Sequence, residues 1–253
     1  MTVLLAVDVG NSQTKLGWFE GETLRGEDHF PTGSREPAQA VADLLVAAGA
    51  RPQAAAMCSV VPDAVEAWRS ALHHVAGAEP LVIGGESEIG IVNRYSAPAS
   101  LGPDRLVGAL AARELYGAPV IVVSLGTATV VDAVSRQGEF LGGAIAPGVE
   151  TSAAAVAEKA ARLLPVQFEV APRAIATETQ GAMIAGVFFG VVGQVKELLA
   201  RVRAEMGEQA PAVLTGGRAE LLAHELENVA AVEPALTLIG LRLAWERVTR
   251  KGG

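Results

Sequence analysis

The chain has 253 residues, of which 50% are hydrophobic, and this size suits one large domain or two domains of about 120 residues. Its 28 acidic and 20 basic residues give a formal charge of -8 without a block of like charge, which argues against a nucleic-acid partner. One cysteine excludes a disulfide framework within the chain, and the apolar run at the N-terminus is too short for a signal peptide or membrane span, so we expect a cytoplasmic protein without a membrane partner.

The first predicted elements are three strands joined by tight turns. An apolar strand leads into "DVGNSQT" at Asp8 to Thr14, a second strand follows from Lys15 to Glu20, and a turn at Gly21 precedes the third. The first turn would present backbone N–H groups in a concave surface that suits phosphate oxygens, and Asp8 could orient Mg²⁺ through water. The alternative is a simple hairpin turn. A Walker loop is excluded because its motif and following helix are missing.

Helices and strands alternate after this unit. A helix is predicted from Glu36 to Ala48, then the strand "AAAMCSVV", a helix from Pro62 to Ala76 and the strand "PLVIGG". The apolar neighbours of Cys58 predict a buried strand thiol rather than a reactive one.

A loop from Asn93 to Pro98 is predicted next, followed by a helix from Gly102 to Gly117. This helix begins with "GPDR", and Pro103 with Asp104 is a favourable helix start, because proline fits the first helical position and a carboxylate is stabilised by the helix dipole. That structural role is one interpretation of Asp104; a catalytic role is the other.

A second copy of the first module begins with "VSLGTAT" at Val123. It repeats "VDVGNSQT" at Val7 with a constant offset of 116 residues, which places Ser124 at the position of Asp8. A second strand from Val130 and a turn at Gly138 follow, as in the first copy. Two such turns in equivalent places favour ligand binding over a simple hairpin.

The rest of the chain is predicted to be mainly helical. The expected elements are helices over 147–163 and 177–206, the strand "PAVLTGG", a short helix after Arg218, the strand "NVAAVEP" and a helix over 236–249. Because no Ser/Gly-rich or Pro-rich linker is present, we expect packed domains at 1–117 and 118–253 with a hinge near Gly117.

Duplicated strand–turn–strand phosphate loops resemble those of the sugar kinase, acetate kinase, actin and heat-shock ATPase superfamily, in which ATP lies in the cleft between the halves. The chain most resembles type III pantothenate kinases. The motifs are "DVGNSQTKLG" at 8–17, Tyr95 with "LGPDR" at 101–105, "LGTATVVD" at 125–132, "LGGAIAPG" at 141–148, Thr179 before "GAMIAG", and "TGG" at 215–217. The implied fold is α/β with two duplicated ribonuclease-H-like domains, each a mixed sheet flanked by helices.

The resemblance implies transfer of the γ-phosphoryl group of ATP, with Mg²⁺, to pantothenate, which is the first step of coenzyme A biosynthesis. Asp104 would be the base that accepts the hydroxyl proton, and Thr179 would reach the substrate from the neighbouring subunit of a homodimer with sites at or near the interface. Thr179 could equally serve the start of its helix. The implied ATP and phosphate contacts are Asp8, Val9, Gly10, Asn11, Ser12, Gln13, Thr14, Lys15, Gly126 and Thr127. The implied substrate contacts are Tyr95, Gly102, Pro103, Asp104, Arg105 and Thr179.

Ser124 departs from the family pattern. Its position is usually an aspartate implicated in binding the required monovalent cation, K⁺ or NH₄⁺, and a serine hydroxyl cannot neutralise that charge. Three explanations stay open: Asp132 on the next strand serves instead, the protein works without the cation, or activity is lost. We expect activity with altered cation dependence.

Three alternatives to this kinase activity remain. A non-catalytic nucleotide-binding regulator on the same scaffold would explain Ser124, and a kinase for another small hydroxylated acid would use the same fold. A filament or chaperone protein fits poorly, because the halves lack the large inserted subdomains of those machines.

Overall fold

The computed structural model describes residues 2–49, 51–159 and 169–251 of the chain. Two compact units divide it: Met1–Leu115 with Ala235–Gly253, and Tyr116–Pro234. This division differs from the expected domains at 1–117 and 118–253, because the last helix belongs to the first unit. The end of the helix expected over 147–163 lies outside the described residues.

The described elements follow the expected order closely. The strands are β1 (Val3–Val9), β2 (Gln13–Glu20), β3 (Thr23–Pro31), β4 (Ala54–Ser59), β5 (Leu81–Ile83), β6 (Val92–Asn93), β7 (Val120–Leu125), β8 (Ala128–Val134), β9 (Glu139–Pro147), β10 (Ala212–Thr215) and β11 (Val229–Val232). The helices are α1 (Pro37–Ala48), α2 (Val65–Ala76), α3 (Pro103–Tyr116), α4 (Val149–Lys159), α5 (Thr179–Met206), α6 (Ala219–Ala223) and α7 (Leu236–Lys251).

The first unit contains a mixed sheet in the order β3-β2-β1-β4-β5. Strands β1, β2 and β3 are antiparallel neighbours, whereas β4 and β5 run parallel to β1. One face of the sheet packs on α1 and α2 through a core that includes Val7, Phe30, Met57 and Trp68. Helix α7 packs on β1 and β4, so these central strands are buried on both faces, as their near-continuous apolar sequences predict.

The second unit repeats this arrangement. Its strands follow the order β11-β10-β7-β8-β9, with β7, β8 and β9 antiparallel and β10 and β11 parallel to β7. The core contains the alternate side chains Ile121, Val123 and Leu125 of β7, packed with Phe188 and Val195 of α5. The sequence repeat is therefore a structural repeat of sheet order and strand direction.

Among the described residues, one helix is long and apolar enough to cross a membrane by length and composition. This helix is α5, with 28 residues and a mean hydropathy of 1.5 in its most apolar window. Eight of its residues, including Val191 and Leu199, are buried in the second unit. Its apolar character is explained in part by that packing, which is typical of a core helix.

The register of the strands corrects the constant offset between the two copies. In the first copy Val9 pairs with Thr14, whereas in the second Leu125 pairs with Thr129, so the second turn is one residue shorter. Ser124 remains equivalent to Asp8. Beyond the turn, equivalent residues are shifted by one position, so that Thr14 corresponds to Thr129. A one-residue deletion in a turn is not visible when two short motifs are laid side by side.

Candidate active site

The first phosphate loop joins β1 to β2. The Gly10 N–H donates to the Gln13 carbonyl at 3.0 Å, and the Thr32 hydroxyl donates to the Gly10 carbonyl at 2.7 Å. The hydroxyls of Thr32 and Thr14 are 2.9 Å apart, which ties the loop to the ends of β2 and β3. Residues 11–13 are exposed, so the turn is a fixed backbone surface that is open to a ligand.

The second phosphate loop is closed in a similar way. The Gly126 N–H donates to the Ala128 carbonyl at 3.1 Å, and the Thr127 carbonyl accepts from the Gly148 N–H at 3.2 Å and from the Thr151 hydroxyl at 2.7 Å. A Cβ at position 148 would lie 2.5 Å from the Thr127 carbonyl oxygen, so only glycine allows this approach. The "APG" of the family motif therefore supports the loop that carries Thr127.

Besides their length, the two loops differ in one supporting hydroxyl group. Thr14 pairs with Phe30, and Thr129 pairs with Ala146, so Thr32 and Gly148 occupy equivalent positions two residues further along. Glycine at 148 removes the hydroxyl that Thr32 supplies in the first unit. The Thr129 hydroxyl is accordingly buried without a hydrogen-bond partner among the described residues.

Asp8 lies near the carboxyl end of β1, two residues before Gly10. Burial, and then the charge of Asp104, raise the pKa of Asp8 from 3.8 to about 6, while Lys15, Cys58 and Thr237 oppose the shift. The structure therefore brings together two carboxyl groups, those of Asp8 and Asp104, that the sequence places almost one hundred residues apart. Two desolvated carboxylates close together favour a cation between or beside them.

Asp104 occupies the first turn of α3, directly after Pro103. Its pKa is raised by burial, and this effect is opposed by the backbone N–H and the charge of Arg105. The Oδ1 atom is buried and has no hydrogen-bond partner in the described part of the chain. The helix-start interpretation is geometrically correct, but it leaves one buried carboxyl oxygen unsatisfied, and such atoms are uncommon outside functional sites.

Arg105, whose charge acts on the Asp104 carboxyl group, also contacts Tyr95. The Arg105 guanidinium lies 5.5 Å from the centre of the Tyr95 ring. The Tyr95 N–H donates to the side-chain oxygen of Asn93 at 2.9 Å, and the Asn93 amide donates to the Gly85 carbonyl at 3.0 Å. The loop that carries Tyr95 is thereby tied to the turn after β5, which the sequence did not indicate.

Ser124 lies on β7 in the second unit, where it pairs with Val130 of β8 and with Thr215 of β10. Asp132 is two residues beyond Val130 and therefore lies on the same face, with Cα roughly 7–8 Å from that of Ser124. Asp132 is 2% exposed, and the buried Thr215 hydroxyl has no hydrogen-bond partner among the described residues. One carboxyl and two hydroxyl groups thus share one face near the second phosphate loop.

Thr179 is exposed at the first position of α5. It lines an apolar groove of about 560 Å³ in the second unit, together with residues of α4 and α5 that include Val156, Met183, Gly186 and Gly190. A Cβ at position 186 or 190 would meet no atom within 4 Å, so the small side chains open the groove. Thr179 is therefore presented on a surface rather than used in the core of its own unit.

No group of three or more His, Cys, Asp or Glu side chains is placed to hold a metal ion within the described ranges. The carboxylate of Asp8 beside a phosphate loop matches the preference of Mg²⁺, because this ion is held by one or two carboxylates together with phosphate oxygens and water.

The type III pantothenate kinase sequence profile matches residues 4–201. A type III pantothenate kinase of Dehalococcoides mccartyi (strain CBDB1) is 40% identical over 250 residues, which cover 96% of this chain and 95% of that protein. The chain belongs to the type III pantothenate kinase family.

A second relative matches almost the whole length of the chain. The type III pantothenate kinase of Moorella thermoacetica is 39% identical over 254 residues, which cover 98% of this chain and all of that protein. The (R)-2-hydroxyglutaryl-CoA dehydratase component A of Acidaminococcus fermentans has a similar fold over both whole chains, with a TM-score of 0.58 at 14% identity. The expected fold class of duplicated ribonuclease-H-like α/β domains is thus confirmed.

Two residues beside Asp8 could not be recognised as part of the site from the sequence. Cys58 was expected only as a buried thiol, which it is, but its Sγ also lies 3.5 Å from Asp8 Oδ1. Thr237 belongs to the first turn of α7 and carries no motif. Cys58 reaches Asp8 because β1 pairs with β4 in parallel, and the sequence gives no local signal for the register of that pair.

Proposed function

We propose that the protein phosphorylates pantothenate to 4′-phosphopantothenate with Mg-ATP, the first step of coenzyme A biosynthesis, in the cytoplasm. The observation that carries the proposal is the buried carboxyl oxygen of Asp104, which has no hydrogen-bond partner among the described residues and is followed by Arg105, itself in contact with Tyr95. A base for a hydroxyl group needs a lone pair that no other donor occupies, and a carboxylic acid substrate needs a nearby cation.

In this proposal Asp104 accepts a hydrogen bond from the primary hydroxyl of pantothenate and then its proton. Phosphoryl transfer has a loose transition state, so the main task of the carboxylate is to orient the attacking oxygen. Arg105 binds the substrate carboxylate, and Tyr95 supplies an apolar wall for its carbon chain. Gly102 and Pro103 fix the backbone that carries Asp104, since Gly102 leaves room beside the Asp104 carboxyl.

The phosphate loops hold the nucleotide. The backbone of residues 9–13 forms the first loop, and the Thr14 hydroxyl is hydrogen-bonded to Thr32 beside it. Lys15 follows on β2 as a cation for the phosphates, and Gly126 with Thr127 forms the second loop. Each loop is braced from the third strand of its own unit, so its N–H groups are already oriented before ATP binds. Such preorganisation lowers the free-energy cost of binding charged phosphates.

Asp8 fits the Mg²⁺ that ATP requires. Its carboxyl group is desolvated and has a pKa of about 6, so a nearby cation would stabilise the charged form. When bound, Mg²⁺ neutralises phosphate charge. The protein contributes a carboxylate in a fixed orientation.

The direct test is formation of phosphopantothenate from pantothenate and Mg-ATP by the purified protein, with glucose and acetate as competing acceptors. We expect product from pantothenate alone. Product from another acceptor would reassign the substrate, and nucleotide binding without any product would favour the regulator.

The monovalent cation is the first point at which this chain is expected to differ from its relatives. Ser124, Asp132 and Thr215 provide oxygen donors on one face, so we propose that Asp132 supplies the charge that Ser124 lacks. We expect Asp132→Asn to raise the K⁺ concentration for half-maximal activity about tenfold, since a hydrogen bond or ion contact to a charged group contributes about 1.5–3 kcal/mol. Ser124→Asp should lower that concentration.

These K⁺ titrations need Na⁺ and NH₄⁺ at matched ionic strength as controls. Wild-type activity that does not change with K⁺ or NH₄⁺ would contradict the proposed cation site while leaving the kinase activity intact.

We further propose a homodimer in which Thr179 of one subunit completes the site of the other. The apolar groove beside Thr179 and the exposed Phe189 of α5 form a surface of the kind that mediates protein association. When Thr179→Ala and Asp104→Ala subunits are mixed, each mixed dimer has one intact site. We expect about a quarter of wild-type activity after random exchange, because half of the dimers are mixed.

Each variant alone should have far less activity than the mixture. Verified mixed dimers that show no recovery would contradict a shared site, and a monomer in sedimentation would contradict the dimer.

A further inference from the structure

The carboxyl group of Asp8 has two side-chain hydrogen-bond donors that come from distant parts of the chain. The parallel register pairs Asp8 of β1 with Cys58 of β4, and the Cys58 Sγ donates to Asp8 Oδ1 at 3.5 Å. Thr237, in the first turn of α7, donates a hydrogen bond to the same carboxyl group. A strand and a helix of the first unit therefore converge on this one side chain.

Both donors are suited to a fixed role. Cys58 is fully buried, and its Sγ lies 3.5 Å from Asp8 Oδ1. A thiol group can act as a weak hydrogen-bond donor to this oxygen. Thr237 is 9% exposed, and its helix packs directly on β1 and β4. Neither side chain can move far without repacking its element.

The other groups that face Asp8 make such restraint necessary. Asp104 repels its charge, whereas Lys15 on the paired strand attracts it. An unrestrained carboxylate would turn toward Lys15 and away from Asp104. The thiol fixes one oxygen on the β4 side, so the group keeps one orientation next to the first phosphate loop.

We propose that Cys58 and Thr237 are positioning residues that hold the Asp8 carboxylate in the orientation required for Mg²⁺-dependent nucleotide binding. This inference rests on the proposed function for the role of Asp8. It adds two residues that act through Asp8 and touch neither substrate nor nucleotide.

The test uses variants that remove or retain each donor. Cys58→Val and Thr237→Val keep the approximate volume and remove the donor, whereas Cys58→Ser and Thr237→Ser retain one. Met57→Leu is the matched control, because Met57 is the neighbouring buried residue of β4 and belongs to the core on the opposite face.

The main readout is calorimetric affinity for the ATP analogue AMP-PNP, measured with Mg²⁺ and with EDTA. The ratio of the two affinities isolates the contribution of Mg²⁺. We expect each valine variant to lower this ratio about tenfold, with the EDTA affinity unchanged, because a hydrogen bond to a charged group is worth roughly a factor of ten or more. Both serine variants should retain most of the ratio, and Met57→Leu should match the wild type.

Steady-state kinetics provide a second readout. The valine variants should need more Mg²⁺ for half-maximal rate, with KM for pantothenate unchanged. If both valine variants keep the wild-type Mg²⁺ ratio, the proposal is wrong. If Cys58→Val fails to fold, Thr237→Val and the two serine variants decide. Wild-type protein that shows Mg²⁺-dependent AMP-PNP binding without phosphopantothenate formation would refute the proposed function and leave the positioning role testable.

Discussion

Asp104→Asn is expected to lower kcat by about 10²–10⁴ and to leave the affinity for ATP within a few-fold of the wild type. The amide has nearly the same size as the carboxyl group, and it retains one oxygen for the backbone N–H of Arg105. It cannot accept a proton, so the variant removes the proposed chemistry with little change in the fold. Single-turnover formation of phosphopantothenate measures the effect.

The pH dependence provides a separate check on Asp104. A base must be ionised to act, so the rate should fall as the pH drops through its pKa, which burial raises above the ordinary aspartate value. Asp8, with a pKa of about 6, is coupled to Asp104 by charge. The fall of kcat/KM at acidic pH therefore reports the joint titration of these two carboxyl groups. We expect this fall near pH 6 rather than pH 4.

The matched variant Arg105→Gln should instead raise KM for pantothenate, because it removes the proposed carboxylate partner and keeps Asp104. An Asp104→Asn protein that is folded and retains more than a tenth of the wild-type kcat would rule out Asp104 as the base.

Gly240→Ala is expected to destabilise the protein by about 3 kcal/mol, which corresponds to a fall in Tm of about 6–12 °C. Gly240 lies in α7 where this helix crosses α3. A Cβ there would lie 2.6 Å from the carbonyl carbon of Val107 and closer still to its oxygen. Both obstacles are helix backbone, so the two helices would have to separate.

Gly108→Ala is the control for this prediction. Gly108 lies in α3 at the same helix pair, but a Cβ there would meet only the Leu236 side chain at 4.0 Å, which is ordinary contact. Alanine also gains up to about 1 kcal/mol of helix propensity over glycine, so this variant should be neutral or stabilising. Thermal and urea unfolding of the two variants should differ clearly. Similar midpoints would show that the α3 and α7 backbones are not in close contact.

Much of this fold could be predicted from the sequence because its elements are locally encoded. Apolar strands ended by Gly-bearing turns, and a proline at the first position of α3, gave boundaries close to those observed. The conflict over Asp104 was also visible, since a favourable helix start and a catalytic motif coincide there. Asp104 can serve both as a helix start and as a catalytic residue. The evidence for the second role is the buried Oδ1 atom without a hydrogen-bond partner among the described residues, which only the structure shows.

The parts that could not be predicted depend on long-range pairing. The one-residue difference between the two turns becomes visible only through the pairs Val9–Thr14 and Leu125–Thr129. The contact between Cys58 and Asp8 likewise depends on a parallel register between strands about fifty residues apart. No local pattern assigns α7 to the first unit, because its amphipathic sequence would suit either sheet.

The return of α7 to the first unit sets an order of events during synthesis. Residues Tyr116–Pro234 are contiguous, so the second unit needs no residue after Pro234 to complete its core. The first unit does, because its central strands lack the helix that covers them until residues Leu236–Lys251 have been synthesised. The unit that begins first is therefore the last to have all of its residues, and a chain that stops before α7 would contain an Asp8 without Thr237.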